Sequence, residues 1–152
     1  LSSKEKKKVT VSLEAIVAEL AETRKYVEAL QSNLSQLSAE LNEIAASKSA
    51  LELIKDKQEV ELLTPTDTRG HVYLRTLIND PSKVVAHIGL NYYALLPPDK
   101  AIELLSKKEE DIRNAIEMVR SELSKVLQYY QNLQAVVNKL MQQAQAQQTT
   151  KG

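Results

Sequence analysis

The stretch from residue 59 to residue 98, EVELLTPTDTRGHVYLRTLINDPSKVVAHIGLNYYALLPP, decides the fold. It holds all four prolines (Pro65, Pro81, Pro97, Pro98) and two of the three glycines, Gly70 and Gly89; the third is the last residue. Outside it, residues 1–58 and 99–151 contain neither type, so no breaker interrupts either flank. Inside it, apolar and β-branched runs alternate with turn signals. Val60-Glu61-Leu62-Leu63, His71 to Ile78, Val84 to Ile88 and Tyr92 to Leu96 read as four strands. Asn79-Asp80-Pro81-Ser82 and Gly89-Leu90-Asn91 read as turns. Strands that pair in order make two β-hairpins. Two hairpins alone are marginal in water, and their apolar faces need partners.

Working outward, both flanks carry a heptad seam. Alternating steps of three and four visit Leu13, Ile16, Leu20, Thr23, Val27, Leu30, Leu34, Leu37, Leu41, Ile44, Lys48 and Leu51; ten of these twelve are apolar. After Pro97-Pro98 the same stepping visits Ile102, Leu105, Glu109, Ile112, Ile116, Val119, Leu123, Val126, Tyr130, Leu133, Val137, Leu140 and Ala144. Only Glu109 of these thirteen is charged. Sustained heptads point to a coiled coil rather than to the surface helix of a globule. Ser12 is the expected N-cap of the first helix and Asp99 that of the second. At about 1.5 Å per residue each arm is roughly 65–70 Å long. Matching arms fold back on each other, with both chain termini at one end.

The expected fold class is therefore mainly α with a small β insert: a long antiparallel two-helix coiled coil joined by two β-hairpins. The organisation is one domain over 1–152. It has a basic tail at 1–10, a first arm at 11–58, the hairpin insert at 59–98, a second arm at 99–145 and a disordered Gln-rich tail at 146–152.

Composition agrees with long helices. There is no Phe and no Trp, the six aromatic residues are all Tyr, and a thick core is out of reach. The 20 acidic and 20 basic residues cancel, which speaks against nucleic acid as the main partner, because phosphate neutralisation needs a net basic surface. No apolar run approaches the roughly 18–20 residues of a membrane span, and no secretory signal is visible. The absence of Cys removes disulfides, thiolate zinc sites and cysteine nucleophiles together, and it fits a reducing cytosol.

Chemistry for catalysis is missing from the pattern. His71 and His87 fall in strand candidates without a metal-spaced partner, and glycines are too sparse for a phosphate loop. The carboxylates sit on helix faces, where ion pairing with neighbours is the ordinary role. Tyr92-Tyr93 reads as strand material with one ring in and one ring out. The expectation is no enzyme and no cofactor, so function lies in surfaces.

Two such surfaces stand out. In the insert, Val72, Leu74, Ile78, Val84 and Ile88 form one apolar set, and Tyr73, Leu77, Val85, Tyr92 and Leu95 the opposite face; these strands have open edges that seek partners. Where the arms end, Val9, Val11, Leu13 and Ile16 meet Val137, Leu140, Met141 and Ala144. Splayed ends offer these aliphatics to apolar segments of another chain, at about 25 cal/mol per Å² buried and without directional demand.

The run Lys83–Ile112, KVVAHIGLNYYALLPPDKAIELLSKKEEDI, resembles the α-class of the prefoldin family, of archaeal type. The shared pattern is a valine strand, a G-x-x-Y-Y strand, then an acidic residue opening a helix with A-I-x-L-L and K-x-x-x-I. Leu62-Leu63-Thr64-Pro65 is similar to the family's L-V-P segment. The resemblance implies an ATP-independent holdase in the cytoplasm. It implies hairpins that complete an oligomeric β-barrel, with a second α-class copy and β-class subunits as partners in an α2β4 hexamer. Non-native client proteins would be held at the coiled-coil tips and passed to a group II chaperonin, with no role for nucleic acid or membrane. The alternative is a structural or adaptor coiled coil without chaperone activity.

Overall fold

The computed structural model describes the backbone of residues 3–149 and the side chains of residues 13–147. Six elements follow in order: α1 (Ser3–Ile54), β1 (Val60–Pro65), β2 (Tyr73–Ile78), β3 (Val84–Gly89), β4 (Tyr92–Leu96) and α2 (Pro98–Thr149). Two compact units divide the chain. One joins residues up to Leu37 with those from Ala115 onward; the other is Ser38–Asn114.

Both helices outrun the expected arms. α1 starts at Ser3, so Ser12 lies inside the helix rather than capping it, and the basic run is helical. Lys and Glu are good helix formers, and no Gly or Pro stops the chain there. α2 runs to Thr149 rather than fraying at residue 146, since Gln and Ala also favour helix. At its other end the second helix starts one residue early. Pro98 takes the first helical position, where its missing N–H costs nothing, and the Pro97 carbonyl accepts the first bond from the Ala101 amide at 3.1 Å. Asp99 therefore sits in the first turn, where its charge complements the helix dipole, instead of capping.

The heptad seam is what the fold protects. Every position from Leu13 to Leu51 in the first stepping, and from Ile102 to Leu140 in the second, is buried or half-buried; Ala144 alone is exposed. In the first unit the best-covered residues are Val27, Leu30, Ile116 and Leu133. The Tyr129 hydroxyl there donates to the Glu19 carboxylate, joining α1 to α2. Thr23, a polar residue in the seam, turns its hydroxyl onto the Glu19 carbonyl at 2.7 Å and leaves no unmet donor.

In the second unit Ile44, Ile54, Val60, Ala101 and Ile112 form the core, with Ala101 only 1% exposed. Two ion pairs set the helix direction. Lys48 reaches Glu109 at 2.7 Å and Lys55 reaches Asp99 at 3.5 Å, so partners fall in number along α2 as they rise along α1. The segments are antiparallel.

The hairpins form as the turn signals require. β1 pairs antiparallel with β2 from Val60↔Ile78 to Pro65↔Tyr73, and β3 pairs with β4 from Val84↔Leu96 to His87↔Tyr93. β2 begins at Tyr73 rather than at His71. The Asp67 carboxylate takes the Arg69 amide at 2.8 Å and the His71 ring Nδ1 at 3.0 Å, which folds residues 67–71 into a loop; Gly70 supplies the positive φ of +69°. A bulge between His87 and Gly89 leaves Ile88 out of the ladder.

Two predictions follow from this packing. Ile116→Ala should lower the unfolding free energy by about 2–4 kcal/mol. Met118→Ala, at a position 74% exposed, should change it by less than about 0.5 kcal/mol. Urea titration followed by helix circular dichroism separates them. The second concerns acid. The hydrogen bond from Lys48, then that from Arg113, holds the Glu109 carboxyl below its ordinary value of 4.5. A depressed carboxylate contributes stability above the ordinary value and loses it as pH falls through the folded-state value. Asp67, held down first by His71, and Asp80, held down first by the Ser82 hydroxyl, act in the same direction. Unfolding curves taken at falling pH should show stability declining below about pH 4.5. Glu109→Gln should be less stable at neutral pH and shallower in that decline.

Candidate functional site

Period-two alternation assigns each strand residue to a face. In the first hairpin, Val60, Leu62, Thr64, Leu74, Thr76 and Ile78 share one face by register. Val60 is buried there, Thr76 and Ile78 are half-buried, and the Thr64 and Thr76 hydroxyls bond at 2.7 Å. The other face carries Glu61, Leu63, Pro65, Tyr73, Arg75 and Leu77, all exposed. Arg75 and Glu61 form an ion pair across the strands, which neutralises the polar part of this face and leaves Leu63, Tyr73 and Leu77 as its apolar part.

The second hairpin divides more sharply. Val84, Ala86, Ala94 and Leu96 are half-buried on one face. Val85, His87, Tyr93 and Leu95 stand exposed on the other, with Val85 directly opposite Leu95 and the His87 and Tyr93 rings 5.2 Å apart. At the turn, Leu90 adopts a φ of +50° and is 87% exposed. The His87 ring Nε2 lies 2.6 Å from the Leu90 carbonyl and braces this conformation. Beneath the hairpins, a groove of about 440 Å³ is lined mainly by apolar residues including Leu53, Ile54, Leu62, Val84, Ala101 and Leu105.

Of the interface residues expected from sequence, Val72, Tyr73, Leu74, Leu77, Val85, Ile88, Tyr92 and Leu95 are exposed and Val84 is half-buried. Two face assignments change. Tyr92 shares the strand parity of Ala94 and Leu96, not of Leu95, and Ile88 is freed from the face of Val84 by the bulge. Both Tyr92 and Tyr93 are exposed, so the one-in, one-out reading does not hold; two strands of five or six residues have no layer that covers either ring.

Of the expected end residues, Val9 and Val11 lie outside the described side chains. Leu13, Ile16, Val137 and Leu140 are half-buried, and Met141 is exposed. In and beside the hairpins, five exposed apolar residues were not anticipated as interface: Leu53, Leu62, Leu63, Leu90 and Tyr93. Leu63 was legible in the alternation of β1, since it has the parity of Pro65 and faces Arg75. Leu53 lies two residues beyond the seam position Leu51, where heptad counting does not look.

Among the described residues no three His, Cys, Asp or Glu side chains are grouped to hold a metal. No described helix is long and apolar enough to cross a membrane. What the geometry offers is apolar surface on short strands with open edges.

Comparison with known proteins gives this architecture a family. Residues 23–143 match the family model described as Prefoldin subunit. Prefoldin subunit alpha of Sulfurisphaera tokodaii is 37% identical over 145 residues, covering 95% of each chain. Prefoldin subunit alpha of Aeropyrum pernix is 35% identical over 145 residues, covering 93% of this chain and 95% of its own. A cryo-EM structure described as filamentous PFD from Methanocaldococcus jannaschii superposes with a TM-score of 0.62. It covers 80% of this chain and 98% of its own, and at 17% identity it speaks for the fold. With two long helices, two hairpins between them and these relatives over nearly its whole length, the chain belongs to the prefoldin family of chaperone subunits.

Proposed function

We propose that this chain is the α-class subunit of a nucleotide-independent holdase. A second copy and β-class subunits join it, in an α2β4 complex, through the hairpins, whose strands together close a β-barrel. The single observation that carries the assembly is the apolar surface left open on both hairpins: Leu63, Tyr73 and Leu77 on one, Val85, Tyr93 and Leu95 on the other. Groups of this size in water are the usual mark of a protein interface, and unpaired strand edges add backbone donors and acceptors that need partners. The exposed set on the second hairpin carries no Asp, Glu, Lys or Arg, so covering it costs little desolvation.

Clients bind, in this reading, where the helices end. Leu13, Ile16, Val137 and Leu140 are only half covered, Met141 is exposed, and Val9 and Val11 continue the aliphatic series along the sequence. Shallow apolar contacts are weak singly and sequence-tolerant, and several subunits acting together give useful avidity. Hand-over to a group II chaperonin completes the cycle. The complex acts in the cytoplasm and turns over no substrate.

Val85→Glu with Leu95→Glu should dissociate the native complex, seen by size-exclusion chromatography with light scattering, while helix circular dichroism stays within about a tenth of wild type. An oligomer that survives this pair would place the interface elsewhere. Deleting residues 1–15 and 138–152 should leave assembly intact and reduce, without abolishing, the suppression of aggregation of a denatured client in the absence of nucleotide. Unchanged suppression per complex would move capture away from the helix ends.

A further inference from the structure

We propose that Lys48 and Glu109 form a register key: a pair whose task is to select one axial alignment of α1 against α2 in the Ser38–Asn114 unit, and not to add net stability. The first observation is positional. Lys48 is the only charged residue at the α1 seam positions from Leu13 to Leu51, and Glu109 the only one at the α2 seam positions. The structure brings these two exceptions onto each other. Lys48 Nζ donates to Glu109 Oε2 at 2.7 Å, with side chains only 27% and 20% exposed. Arg113 donates to the second Glu109 oxygen, Oε1, at 2.7 Å, so both carboxylate oxygens are engaged.

The neighbours explain why such a key is needed. Ile44 and Ile112 on one side, and Leu51 and Leu105 on the other, are all buried or half-buried aliphatics. An aliphatic seam is nearly degenerate: displaced by one heptad it again sets aliphatic against aliphatic, because the hydrophobic term has no direction. The displaced alignment would bring Lys48 against Ile102 or Ile116 and leave an ammonium in an apolar layer. In one direction of slip Glu109 would meet Lys55, but Lys48 would still lose its carboxylate. Burying a charge without its partner costs far more than the pair itself contributes, so the wrong alignment is penalised while the right one is roughly neutral. A polar residue at a seam position of a coiled coil specifies register in this way, at some expense in stability. The alignment matters because the hairpins and the groove beside Leu53, Leu105 and Val84 are built on these same helix segments.

The chain has no cysteine, so labels introduced as Asn42→Cys and Lys107→Cys, both at exposed positions, report the alignment cleanly. Pulsed electron–electron resonance on the full-length chain should give one distance for the otherwise wild-type protein and for Lys48→Arg, which keeps the pair. In Lys48→Leu/Glu109→Leu, helix content and Tm should be equal or higher. The distance distribution should split, because a one-heptad slip moves the labels by about 10 Å along the axis. Glu109→Leu alone should lower Tm by about 5 °C or more, since it strands Lys48. A single, unshifted distance in the double leucine variant would overturn the proposal. So would loss of helix content in that variant, which would make the pair a source of stability instead of selection.

Discussion

A seam between two helices has only two sides, and most features of this protein depend on that limit. Two helices can bury a stripe on each other but cannot enclose a third element. The buried hydrophobic side chains are accordingly few among the described residues, and they lie on the helix seam or at its junction with the hairpins, as Ile44, Ile54, Val60, Ala101 and Ile112 do in the second unit. The hairpins rest on that seam by one face each. Their remaining faces stay in water, with Val85, Tyr93 and Leu95 more than three-fifths exposed. In a larger domain another layer would cover them. Here the cover has to come from other chains, and the physical shortage of core becomes the reason for assembly.

The same shortage explains where polar groups are tolerated. Thr23 satisfies itself on its own helix, and Lys48 and Glu109 satisfy each other across the seam. No described side chain places a buried, unpartnered nitrogen or oxygen in the seam. Tyr129 and Glu19 add a bond at the seam's edge, and that bond raises the tyrosine pKa because the carboxylate favours the protonated hydroxyl. A seam this thin tolerates few errors of pairing, so its exceptions come in matched sets.

Much of this was legible in the residues. The seam positions are the protected ones, because a heptad repeat over so many turns has no other low-energy arrangement than a facing helix. The four strands fall where β-branched and aromatic runs are bounded by Gly, Pro and Asn. The parts that were not legible depend on local competition. Ser12 is a good cap only if the helix stops there, and good helix formers ahead of it carry the helix on. His71 has strand neighbours, yet the Asp67 carboxylate draws it into a loop. Ile88 leaves the face of Val84 because of a bulge that the sequence marks only by Gly89, a residue that also serves the turn. Exposure of both Tyr92 and Tyr93 reflects the missing layer, which no single-chain pattern announces.

The central claim is that the open hairpin faces are subunit interfaces. Hydrogen exchange read residue by residue over β1 to β4 tests it most directly, comparing the isolated chain with the purified native complex. Edge-strand amides and those flanking Val85, Tyr93 and Leu95 should exchange quickly in the isolated chain and become strongly protected in the complex, with little change along the seam from Leu20 to Leu37. Equal protection in both states would mean that the hairpins stay uncovered, and would contradict the account.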